Sequence, residues 1–140
     1  INNSNFESFK KLKIILRRLK MANAINWFEI PVTDFERAKK FYSTIFAVEM
    51  YEQNMGPHQM GFFPGEGVSG AIVKAEGYKP SMDGALIYLA AGNDLTDVMN
   101  RIDKAGGKVL QPKMKVTDEI GYIAIFADTE GNKVALHSPK

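Results

Sequence analysis

Two stretches of this chain follow one plan. Residues 27–46, WFEIPVTDFERAKKFYSTIF, open with the alternation of a strand, and Thr33 and Glu36 then stand three apart, as in a capping box, ahead of an apolar series at Phe35, Ala38, Phe41, Tyr42 and Ile45. About sixty residues later comes IYLAAGNDLTDVMNRIDKAGG, with Asp94 and Leu95 where Asp34 and Phe35 stood and with Val98, Met99, Ile102 and Ala105 as the stripe. Each unit reads as strand, tight turn and amphipathic helix. A chain built from two such units must bury both stripes, so the architecture follows from how the copies meet.

Turn chemistry divides the remainder. After the first helix, residues 48–53, 59–63 and 68–75 read as strands, separated by Asn54-Met55-Gly56-Pro57 and Pro64-Gly65-Glu66-Gly67. GYKPSMDG at 77–84 is the connector. Residues 86–90 then form a strand and 94–105 a helix closed by Gly106-Gly107, and 109–116, 122–127 and 133–137 are three further strands. The expectation is an α+β fold of two βαβββ modules, module one at 24–76 and module two at 85–138, with 33–46 and 94–105 as the main helices.

Charge separates residues 1–20 from the rest. They hold Lys10, Lys11, Lys13, Arg17, Arg18 and Lys20 against Glu7, six of the 18 basic residues and one of the 16 acidic ones. The other residues, 21–140, keep twelve basic against fifteen acidic groups, a net negative balance that does not suit a nucleic acid. Phe6, Phe9, Leu12, Ile15, Leu16 and Leu19 recur at helical spacing, so this segment could lie as a basic amphipathic helix on a membrane or a partner. Its longest purely apolar run, 14–16, is too short to span a bilayer. The plainer expectation is an extension from an upstream start, with Met21 the natural first residue and no membrane role unless residues 1–20 are native. The absence of cysteine excludes disulfides and thiolate chemistry and is compatible with a cytoplasmic setting.

The doubled βαβββ plan, with VTDFERAKKFY in the first module and FADTEGN near the end of the second, resembles the vicinal oxygen chelate superfamily, the group of glyoxalases, bleomycin-resistance proteins and extradiol dioxygenases. The resemblance implies two curved sheets around a shared cavity, helices outside, and a homodimer. It also implies, in the metal-dependent members, ligands on the first and last strands of each module. Those places carry Trp27, Gly70, Ile87 and Ala135 here, none of which can bind a metal. The expectation is therefore a metal-free, glyoxalase/bleomycin-resistance-like protein without a cofactor. It would enclose a small aromatic or amphipathic molecule. The alternative is a metal-dependent lyase or isomerase of the glyoxalase kind, with a divalent metal.

Several residues are candidates for the site. Glu29 shares a strand face with Trp27, and a carboxylate in an apolar cup should titrate high, as a general acid or base does; it could equally be fixed in an ion pair, with Lys113 the nearest idea. His137, two residues beyond Ala135, could shuttle a proton at the cavity rim, or cap a strand end or meet a dimer partner. Trp27, Phe62, Tyr122 and Phe126 are the expected aromatic lining beside Glu29, each weighed against ordinary core. His58 reads as a solvated loop residue, and DTEGN at 128–132 as a turn, too short for a calcium loop. The chain has no GxGxxG, P-loop, HExxH or nucleophile-elbow pattern, which removes the familiar nucleotide, zinc-protease and serine-hydrolase readings.

Overall fold

The structure, a computed structural model, describes residues 3–19 and 23–140; the reading of Met21 as a natural start lies outside them. Eleven elements follow in order: α1 (Asn3–Leu19), β1 (Trp27–Pro31), α2 (Phe35–Phe46), β2 (Tyr51–Met55), β3 (His58–Phe62), β4 (Ser69–Lys74), β5 (Tyr88–Ala90), α3 (Thr96–Ala105), β6 (Lys108–Thr117), β7 (Gly121–Ala127) and β8 (Lys133–Ser138). They make two four-stranded sheets of one design. Sheet A runs β1-β4-β3-β2 and sheet B runs β5-β8-β7-β6, with the first and last strand of each module parallel and the rest antiparallel.

The helices form where the apolar stripes say, but they begin later than expected. Asp34, not Thr33, caps α2 by accepting from the Arg37 N–H at 3.1 Å, while the Thr33 N–H is taken by Glu130 at 2.9 Å. In α3 the N-cap position falls to Leu95, and Asp94 reaches the Thr96 N–H from one residue further out, at 2.9 Å. The two aspartates are therefore not equivalent. Phe35, Ala38, Phe41, Tyr42 and Ile45 of α2 are all buried, as are Val98 and Ile102 of α3.

Both helices and one side of each sheet share a single apolar core, which includes Ile30, Ile72, Leu89, Ala124, Val134 and Leu136. Phe41 of α2 lies 6.0 Å from Phe126 of β7, and Arg101 Nε of α3 donates to the Ile45 carbonyl at 2.8 Å. The modules thus meet through their helical sides. Each sheet keeps its other face open, and the two sheets do not close on one another. On sheet A that face carries a second, smaller cluster of Met60, Ala71 and Val73, with Phe62, Ala75 and Tyr78 packed on it.

A polar clasp crosses between the modules. Asp128 accepts from Tyr42 Oη at 2.7 Å and from Asn132 Nδ2 at 2.9 Å, and Asn132 Nδ2 also donates to the Pro31 carbonyl at 2.8 Å. Next to it Glu130 accepts from the backbone of Thr33 and Asp34 and from Arg37 Nε, the last at 2.7 Å. The DTEGN turn is a turn, as read, and it is also what seats module two on the start of α2.

Candidate functional site

Strand register decides which side chains reach an open face. Neighbouring residues in a parallel pair point the same way, so Trp27 stands beside Ser69 and Glu29 beside Ala71 on sheet A, and Tyr88 beside Ala135 and Ala90 beside His137 on sheet B. Gly70 pairs with Phe28 on the core side, where an added Cβ would lie 2.5 Å from Phe28 Cγ. Gly70 and Ile87, two of the four expected ligand places, therefore belong to the core side; Ser69 or Ala71 and Tyr88 hold the corresponding outward places.

On sheet A the open face forms a hollow of about 470 Å³ lined by Trp27, Glu29, Met55, His58, Met60, Phe62 and Tyr78. The Trp27 and Phe62 rings are 5.8 Å apart at 52°, and Tyr51 continues the wall 6.2 Å from Phe62. Tyr78 Oη donates to Glu29 Oε1 at 3.1 Å, and the His58 ring meets the Tyr78 ring edge-on at 5.4 Å. The hydrogen bond to the carboxylate, with burial and the carboxylate's charge behind it, raises the Tyr78 phenol above its ordinary pKa. None of the ion pairs among the described residues includes Glu29. Lys113, considered as its partner, instead holds Asp94 at 2.9 Å and lies 4.6 Å over the Tyr122 ring in module two.

The other expected site residues go elsewhere. His137 lines a separate hollow on sheet B, about 510 Å³, with Tyr88, Ala90, Met114, Val116, Ile120 and Ile123. Its Nε2 lies 2.6 Å from the Ile120 carbonyl; a carbonyl only accepts, so that nitrogen carries the proton. Tyr122 packs on the core side of β7, and Phe126 is fully buried against Phe41, part of the core and not of any open surface. Trp27, Glu29 and Phe62 line one hollow; His137, Tyr122 and Phe126 do not join them within one chain.

Tyr78 and His58 are the residues that sequence reasoning missed. Tyr78 sits in the Gly/Pro-rich connector and His58 at a hairpin turn whose Gly56 adopts φ 59°. A single aromatic inside an otherwise polar turn was the available signal. A larger hollow, about 650 Å³, lies between the modules, with Phe28, Phe46, Phe63, Asp94, Asp97 and Arg101 among its lining. Its Asp94 and Arg101 are already engaged by Lys113 and by the Ile45 carbonyl, so the unpaired carboxylate of the sheet A hollow is the better chemical lead.

The metal-dependent chemistry of similar folds asks for about three converging ligands. Among the described residues no three of His, Cys, Asp and Glu converge on one point, and the two outward candidates, Glu29 and His137, line hollows on different sheets. Within one chain the described residues do not bring together a ligand set of that size. No helix among the described residues is long and apolar enough to cross a membrane.

Residues 24–136 match the model of the Glyoxalase/Bleomycin resistance protein/Dioxygenase superfamily. A glyoxylase-like domain-containing protein of Didymella fabae is 33% identical over 122 residues, covering 80% of this chain and 91% of that protein. Among solved structures, a glyoxalase/bleomycin resistance protein from Albidiferax ferrireducens superposes with a TM-score of 0.64 at 18% identity, over 81% of this chain and 97% of that one. TnmS3, an antibiotic binding protein from a Streptomyces species, superposes with a TM-score of 0.56 at 25% identity, over 86% of this chain and 100% of that one.

Proposed function

The chain belongs to the Glyoxalase/Bleomycin resistance protein/Dioxygenase superfamily, and within it we propose a metal-free cytoplasmic binding protein that holds a small aromatic or amphipathic molecule against sheet A. The observation that carries this reading is the Glu29 carboxylate in an aromatic hollow, outside every ion pair and every metal-ligand cluster among the described residues. Similarity to an antibiotic binding protein supports it.

The functional unit we propose is a homodimer. Trp27, Tyr51 and Met55 on sheet A are 43%, 67% and 53% exposed, and Tyr88, Met114, Val116 and Ile120 leave sheet B equally apolar. Two apolar faces of this kind on one chain call for cover. A second copy offers it by setting its sheet B over the first copy's sheet A, which would also bring His137 towards Glu29.

The test uses the single tryptophan. A ligand entering the hollow changes Trp27 emission, and Glu29→Gln weakens a ligand that reaches the carboxylate by about 1–3 kcal/mol. The glyoxalase-like names among the relatives favour a second reading, a lyase or isomerase in which Glu29 moves a proton. Under that reading Glu29→Gln abolishes turnover with little loss of binding. Elemental analysis of protein purified without chelators separates the two: the binding reading expects no stoichiometric metal, and about one equivalent of nickel, zinc, iron or manganese would install the enzyme.

A further inference from the structure

Most of the surface of the sheet A hollow is electron-rich, the exceptions being the Trp27 indole N–H, the Tyr78 hydroxyl and the His58 ring, which packs edge-on against Tyr78. Trp27 and Phe62 present ring faces at 52° to each other, Met55 and Met60 present thioethers, and Glu29 presents a carboxylate. The one phenolic proton, on Tyr78, is already given to Glu29 Oε1, and Oε2 takes no hydrogen bond from the described residues. No lysine or arginine lines this hollow, and none lines the sheet B hollow that would cover it in the dimer. An anion placed here would meet the carboxylate with no permanently charged cation to offset it; the histidines of the two hollows are engaged elsewhere, His58 edge-on against the Tyr78 ring and His137 Nε2 on the Ile120 carbonyl. A neutral molecule would leave the carboxylate's charge uncompensated as it lost water, which is costly. A cation removes both penalties and is drawn to the ring faces as well.

We propose that the ligand of this site is cationic, an ammonium or quaternary ammonium group attached to a flat apolar body, with the charge between Glu29 and the Trp27 and Phe62 rings. This rests on the binding reading above and narrows it to one charge class. Tyr78 is a positioning residue: its hydroxyl holds one carboxylate oxygen and so turns the other towards the ligand.

Three probes of similar shape decide the matter in the whole 140-residue chain: phenyltrimethylammonium, its neutral carbon isostere tert-butylbenzene, and benzenesulfonate, each titrated against Trp27 emission at low salt. The ammonium should bind roughly tenfold tighter than the isostere, and the sulfonate weakest of the three. Added salt should narrow the gap, and Glu29→Gln should close most of it. Tyr78→Phe should reduce the ammonium's advantage without abolishing it. Equal binding of ammonium and isostere, or tighter binding of the sulfonate, overturns the charge assignment while leaving a binding site in place. Silence from all three overturns the binding reading along with it. The wild-type comparison is decisive without either variant, so a variant that fails to fold does not blunt the test.

Discussion

Glu130 shows how much one side chain in a turn can decide. Its carboxylate is fully enclosed at the salt bridge to Arg37, and it satisfies two backbone N–H groups at the start of a helix in the other module. Burial alone would raise its pKa, but the bonds from Arg37, Asp34, Thr33 and Thr129 outweigh that and hold it below its ordinary 4.5. A depressed folded value means that the stabilisation is present above the unfolded pKa and is lost as pH falls through the folded one. Glu130→Ala should therefore cost roughly 1–3 kcal/mol in denaturant unfolding at neutral pH, with the difference from wild type shrinking as the pH drops below about 4.5. A constant difference down to low pH would show that charge is not what Glu130 supplies. Glu29 was legible at this scale because strand alternation sets it beside Trp27. Tyr78 was not, because nothing local in GYKPSMDG says which strand the connector folds back upon.

At the level of elements, the helices are readable because one period of 3.6 residues records burial on a single side, as Phe35 to Ile45 show. Strand alternation carries less. It correctly groups Tyr122, Ala124 and Phe126 on one face of β7, but period two cannot say whether that face meets the helices or the solvent, and it meets the helices. The offset at β5 has a similar origin. Equating Asp94 with Asp34 sets Ile87 in the place of Trp27, whereas the sheet register gives that place to Tyr88. The end of α2 carries a conformational cost that the sequence does not advertise: Ala47 closes the helix in the left-handed region at φ 52°, ψ 44°. Glycine takes that conformation without a Cβ penalty, as Gly106 does after α3. Ala47→Gly should thus stabilise the chain, by roughly 1 kcal/mol in urea unfolding. A loss of stability would mean that the Ala47 methyl packs more usefully than its backbone strain costs.

For the whole molecule, the central claim is that the hollow around Trp27 and Glu29 becomes a closed site only when a second copy lays its sheet B across it. Helix-to-helix packing within the chain is what turns the two open faces outward, and this long-range choice lies beyond any local sequence pattern. The doubled βαβββ plan was legible; the direction in which its concave sides point was not. The most direct measurement is the emission maximum of the intact protein, without ligand, as its concentration rises from nanomolar to high micromolar. Trp27 is the only tryptophan and is 43% exposed in the single chain. The account predicts a shift to shorter wavelength along one dimerisation curve, and a maximum that stays at long wavelength in an Ile120→Asp variant, whose change lies in the β6–β7 turn beside the sheet B hollow. A wild-type maximum that stays at the long wavelength of a water-exposed indole across the whole range would contradict it.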